Sequence, residues 1–141
     1  VDATALWMVE KPWLFDVMVT ENMFGDILSD LGAGIMGGLG LAPSADIGHK
    51  HAVFQPCHGS APDIAGKGLA NPFAMILSAA MMLDWLGTKH NIEQMISDGA
   101  LLRDAVYKVV ANGSVLTRDL GGTSSTETAA DAVLEEITAK A

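Results

Sequence analysis

The chain has little positive charge, one cysteine and no long apolar run, and each shortage removes a class of function. Eight Lys and Arg stand against seventeen Asp and Glu, a formal net charge of −9. Such a chain lacks the basic face that a phosphate backbone or an anionic membrane surface requires, so no nucleic acid and no membrane is expected as a partner. A single cysteine, Cys57, leaves no internal disulfide to form. No signal segment is visible either, and a reducing cytoplasm is the expected location. The longest apolar stretch, 73–83, is interrupted by Ser78 and closed by Asp84, short of the roughly 18 residues that span a bilayer.

What remains is apolar for its size. Half of the 141 residues are hydrophobic and only 18 % are charged, with a mean hydropathy of +0.31. A domain of this length buries roughly 68–70 % of its unfolded surface, and this composition implies further surface buried against another body. The chain opens at Val1 with neither an initiator Met nor a polar lead-in, and is expected to be a fragment of a longer protein.

Periodicity predicts a helix over 2–9, stopped at Lys11-Pro12. The run 15–20, FDVMVT, suits a buried strand, and Glu21-Asn22 leads into a helix through about Met36. Gly32, Gly34, Gly37, Gly38 and Gly40 then thin out the side chains, so the helix ends there at a domain crossover. Strands are expected over 39–47 and 52–55. Asn71-Pro72 opens a strongly apolar helix that stops at Gly87. A further helix covers 92–110, closed by Asn112-Gly113, and a last one runs from Ser125 or Thr126 to Lys140.

Two stretches carry chemistry. In 21–41, ENMFGDILSDLGAGIMGGLGL, Asp26 and Asp30 lie one helical turn apart on one face, as carboxylate ligands of a hard divalent cation would. Taken alone, that spacing more often marks a merely solvated helix face. In 58–72, HGSAPDIAGKGLANP, a glycine-rich loop with one histidine and one aspartate runs towards a helix start, where backbone N–H groups can approach a phosphate or ribose. His49, His51 and His90 have no metal-ligand spacing and are expected on turns. Met75, Met81, Met82 and Trp85 read as core or interface packing, and Cys57 as a buried structural thiol.

In this order the two stretches resemble the β-decarboxylating dehydrogenases: isopropylmalate, isocitrate, homoisocitrate and tartrate dehydrogenases. The run NMFGDILSD, then Gly32 and GGLGL, matches that family's signature segment. The resemblance implies an α/β fold, the C-terminal portion of an isopropylmalate dehydrogenase-like protein of two α/β domains, unlike the usual Rossmann domain. Residues 1–36 would finish a substrate and dimerisation domain that carries the metal-ligand helix. Residues 37–141 would form the C-terminal part of the cofactor-binding domain.

It further implies NAD and Mg²⁺ or Mn²⁺ as cofactors, with Asp26 and Asp30 as metal ligands. Asp2, in VDA, would complete the metal site of the neighbouring subunit, so that a homodimer shares its active sites. His58 would lie against the adenine, Gly59, Ser60 and Ala61 would line the pocket with main chain, and Asn71 would reach the adenine edge. Asp63 would hold the adenosine ribose beside Ile64; NADP-dependent relatives tend to carry Lys and Tyr at these two positions, which points to NAD. Leu39, Gly40, Pro43 and Ser44 would border the interdomain cleft, and Asp119 would approach the cofactor.

The chain departs from the family pattern at Gln55, where relatives usually carry an acid near the nicotinamide end. The substrate-gripping arginines and the acid/base Tyr and Lys are expected before Val1, so no catalytic residue is assigned here and these 141 residues alone are expected to be inactive. The resemblance favours 3-isopropylmalate, in leucine biosynthesis, as the 2-hydroxy acid substrate. Tartrate or D-malate, and isocitrate or homoisocitrate, are the alternatives, as is a non-catalytic regulatory subunit of the same family.

Overall fold

The computed structural model describes residues 1–139. Helix α1 forms over Asp2–Glu10, and the proline that follows it turns the chain into a short 3₁₀ segment, Pro12–Leu14. The helix buries none of its residues, and Leu6, Trp7, Val9, Trp13 and Leu14 are exposed.

The buried strand expected over 15–20 does not form. Residues 15–21 carry no regular structure, and Val17 and Val19 are 85 % and 94 % exposed. β-branched residues suit a strand, but a strand needs a neighbour for its N–H and C=O groups. The one sheet among the described residues is a two-stranded hairpin farther along the chain.

Helix α2 covers Asn22–Met36 and buries Leu28 and Ala33. It ends in the glycine run, as expected. Gly37 adopts φ 120°, a conformation side chains rarely take, and the N–H groups of Gly37 and Gly38 close the last turn on the carbonyls of Gly34 and Ala33. The strand expected from Leu39 starts later, because Leu39–Leu41 is a 3₁₀ turn that buries Leu41. Strands β1, Pro43–Ile47, and β2, Ala52–Pro56, then pair antiparallel, from Pro43 opposite Pro56 to Ile47 opposite Ala52.

Helices α3, Phe73–His90, and α4, Glu93–Asn112, fold back on one another through Asn91 in the left-handed region at φ 54°. The expected stop at Gly87 is corrected: α3 continues to His90. Gly87 serves packing instead, since a β-carbon there would lie 2.7 Å from Ile96 Cγ1 and 2.9 Å from the Ile92 carbonyl oxygen. Gly99 does the same on α4, where a β-carbon would lie 2.6 Å from Asp84 Oδ1 and 2.9 Å from the Ala80 carbonyl oxygen. Arg103 donates to Asp84 at 2.7 Å across the same seam, and that hydrogen bond raises the guanidinium pKa above its ordinary value. At the far end, Lys89 donates to the Lys50 carbonyl at 2.6 Å and lies 4.1 Å over the Trp85 ring, tying α3 to the hairpin turn.

Helix α5, Thr126–Thr138, is capped by Ser125, whose hydroxyl accepts from the Thr128 N–H at 3.1 Å. Its expected end at Lys140 lies outside the described residues. The main core cluster joins Leu41, Phe73 and Leu77 to Val106, Val109 and Val133; among the described residues none before Leu41 belongs to that cluster, and Leu28 and Ala33 of α2 are buried apart from it.

Candidate nucleotide-binding site

The glycine-rich loop does not lie flat on the surface. It wraps a cavity of about 500 Å³ that is also walled by Gly40, Asp119 and Thr126, a volume within the range of small-ligand pockets, roughly 300–1,000 Å³. His58, Gly59, Ser60, Ala61, Ile64 and Asn71, all singled out from the sequence, line it. Asp63 is not among its lining residues; it sits exposed in the 3₁₀ turn Pro62–Ile64, with the lining residues Ala61 and Ile64 on either side.

The loop's shape follows from a few local constraints. The His58 ring donates from Nδ1 to the Gly59 carbonyl at 2.9 Å, which leaves Nε2 of the neutral ring as an acceptor. Ala61 holds φ 40°, left-handed for a residue with a β-carbon, and such backbone recurs at ligand sites. Helix α5 then ties the far side down: the Thr126 N–H donates to the Gly68 carbonyl at 2.8 Å, and its hydroxyl donates to the Ala70 carbonyl.

Asn71 closes the loop. Its Oδ1 accepts from the Phe73 N–H at 2.9 Å and its Nδ2 donates to Asp119 Oδ2 at 2.9 Å. Asp119 is held in turn by a tight bend, in which the Thr117 carbonyl accepts from the N–H groups of Leu120 and Gly122. A β-carbon on Gly122 would come within 2.0 Å of the Leu116 carbonyl oxygen, so only glycine fits the bend as it stands.

The carboxylates are distributed differently. Asp26 and Asp30 are both exposed on α2, and their oxygens are of the type that hard divalent cations take. Asp2 is exposed at the start of α1, where it accepts from the Ala3 N–H at 2.7 Å and lies 4.0 Å from the chain's terminal amine. Among the described residues no three His, Cys, Asp or Glu side chains come together as a metal site. Asp2 is therefore not gathered with Asp26 and Asp30 within a single chain.

One expectation needs correction. Cys57 is exposed, its sulfur 3.7 Å from the Pro43 carbonyl, because it follows β2 at the hairpin's open end. Of the four residues expected to border the interdomain cleft, Gly40 also lines this cavity. The sequence marks Thr126 only as a possible start of the last helix, and nothing local signals its bond to Ala70, 56 positions earlier in the loop. Gly32-Ala33-Gly34-Ile35-Met36-Gly37 spells the letters of a dinucleotide fingerprint, yet it occupies the end of α2 instead of a strand-to-helix turn.

The sequence pattern of the family described as isocitrate/isopropylmalate dehydrogenase matches residues 1–137. The chain belongs to that family. It is 55 % identical over 137 residues to the isocitrate/homoisocitrate dehydrogenase of Thermus thermophilus, covering 97 % of this chain and 39 % of that relative. It is 51 % identical over 126 residues to the 3-isopropylmalate dehydrogenase of Archaeoglobus fulgidus, covering 89 % and 36 %. The solved isocitrate dehydrogenase of Methylococcus capsulatus superposes with a TM-score of 0.86 at 46 % identity, over 96 % of this chain and 39 % of that one. The mixed helix-and-sheet architecture is thus part of an isocitrate/isopropylmalate dehydrogenase-like α/β fold, and the chain spans about 39 % of the length of that Thermus relative.

Proposed function

We propose that the protein carrying this chain is an NAD⁺-dependent, divalent-metal-assisted dehydrogenase that oxidatively decarboxylates a malate-type 2-hydroxy acid. The observation that carries the reading is the cavity, which is lined by His58, Gly59, Ser60, Ala61, Ile64 and Asn71 in a chain of this family. When bound, the nicotinamide supplies a hydride acceptor, and Mg²⁺ or Mn²⁺ supplies a Lewis acid for the hydroxyl and carboxylate oxygens of the substrate.

The chain's own residues divide the work. His58 and Asn71 face the adenine, the main chain of 59–61 approaches the ribose and phosphates, and the Asp63 carboxylate at the rim accepts from ribose hydroxyls and repels a 2′-phosphate. Asp26 and Asp30 hold the cation, and Asp2 completes the set of a second copy, which makes a homodimer the active form. The exposed apolar residues of α1 and the segment after it support that assembly. Residues 1–36 finish the substrate and dimerisation domain and 37–141 the cofactor domain, a division supported by a main core cluster that begins at Leu41. The substrate-gripping arginines and acid/base side chains lie outside these 141 residues, so this stretch alone is inactive.

The preferred substrate is 3-isopropylmalate. A second reading, isocitrate or homoisocitrate, is supported by the name of the Thermus relative at 55 % identity. Gln55, exposed on β2, leaves a non-catalytic regulatory subunit as the contrasting case. A rise in the melting temperature of the full-length protein with Mg²⁺ plus NAD⁺ separates the enzyme from the regulatory case, and Asp26→Asn tests the metal assignment. Turnover is expected to vanish while NAD⁺ affinity stays unchanged; a near-normal rate would sink the metal assignment.

A further inference from the structure

We infer that Asp119 is a specificity-determining residue: it fixes the Asn71 carboxamide so that the pair presents a hydrogen-bond donor beside an acceptor, selecting adenine against hypoxanthine at the purine end of the cavity. This inference rests on the nucleotide reading above.

The two ends of an Asn carboxamide look alike in shape and differ in polarity, so its orientation is set by its partners. Here both partners are unambiguous. A backbone N–H can only donate, which assigns the atom facing Phe73 as Oδ1. An ionised carboxylate can only accept, which assigns the atom facing Asp119 as Nδ2. Among the described residues one N–H of Asn71 and one oxygen of Asp119, Oδ1, have no protein partner, and both residues line the cavity. Gly40 backs the pair so closely that a β-carbon there would lie 2.3 Å from Asp119 Oδ2 and 2.8 Å from Asn71 Nδ2.

The resulting pattern is directional. Adenine offers an acceptor, N1 or N7, beside the donor N6–H₂, which complements the Asn71 N–H and the Asp119 oxygen. Hypoxanthine carries O6 in place of the amine and a proton on N1. On the N1 edge it meets a donor with a donor and an acceptor with an acceptor. Each mismatch leaves a polar group unpaired, so discrimination of about tenfold or more is expected.

The test is calorimetric binding to the full-length protein, without substrate turnover, of NAD⁺ and of nicotinamide hypoxanthine dinucleotide. The wild type is expected to bind NAD⁺ at least about tenfold more tightly. Asp119→Asn is isosteric and can still accept from Asn71, but it turns its amine towards the ligand. It is expected to weaken NAD⁺, strengthen the hypoxanthine analogue and bring the two within about threefold. Equal affinities in the wild type, or an undiminished preference in Asp119→Asn, would overturn the inference while leaving the nucleotide site intact. Failure to bind either dinucleotide would overturn the nucleotide reading, and this inference with it.

Discussion

The Thr126 hydroxyl donates to the carbonyl of Ala70, and its backbone N–H donates to Gly68, so the first turn of α5 clasps the loop that walls the cavity. The position of Asn71, the next residue in the chain, depends on that clasp. Thr126→Val removes the hydroxyl bond and keeps the backbone one. A single neutral hydrogen bond contributes about 1 kcal/mol, so nucleotide affinity should fall about fivefold. Thr126→Ser should restore it. Calorimetric titration with NAD⁺ decides, and an unchanged Kd for the valine variant would release α5 from the site.

Gly40 is predicted to tolerate no side chain without disturbing Asn71 and Asp119. The nearest atom to an added β-carbon is Asp119 Oδ2, at the end of an exposed side chain. The carboxylate should therefore swing aside and the Asn71 bond should break, but Asn71 Cβ, 2.9 Å from the added carbon, cannot rotate away, so the chain at Asn71 must shift as well. Gly40→Ala is expected to lose about 1 kcal/mol of nucleotide binding and to lower the Tm. A normal affinity would show that the Asn71–Asp119 bond is dispensable.

The α3–α4 seam should respond to overpacking. Gly87 and Gly99 each face atoms under 3 Å from an added β-carbon, backbone carbonyls of the opposite helix among them. Backbone cannot swing aside, so the helices must separate, at a cost of about 1–3 kcal/mol for either alanine variant. The urea midpoint of the full-length protein measures it. Helix propensity alone would predict the opposite sign, since alanine is favoured over glycine by about 1 kcal/mol in a helix interior.

Thr117 is fully buried, and its hydroxyl finds no partner among the described residues. Leaving such a group unmatched costs about 1–3 kcal/mol, so the isosteric Thr117→Val should be neutral or stabilising. A loss of more than about 1 kcal/mol at the urea midpoint would mean that the hydroxyl is satisfied in the intact protein.

Helices were legible wherever local signals sufficed. Asp2 to the Lys11-Pro12 stop, the helix ending at Gly37, and the Asn112-Gly113 and Ser125 boundaries all follow from capping and breaker chemistry within a few residues. Failures came where a distant partner decides. FDVMVT reads as a strand but has no strand beside it among the described residues, and Gly87 reads as a stop until Ile92 and Ile96 are seen packed against it. Most of the cavity wall was legible because it is one continuous run, 58–71. Thr126 was not, because its role rests on a bond to Ala70 that no spacing rule connects.

The central claim is tested most directly by NADH formation in the full-length protein, supplied with Mn²⁺ or Mg²⁺ and a panel of 3-isopropylmalate, D-malate, tartrate, isocitrate and homoisocitrate. Metal-dependent NADH production with a clear preference, highest for 3-isopropylmalate, is the predicted result. A folded protein that binds NAD⁺ yet stays silent across the panel would contradict it and make Gln55→Glu the first variant to examine.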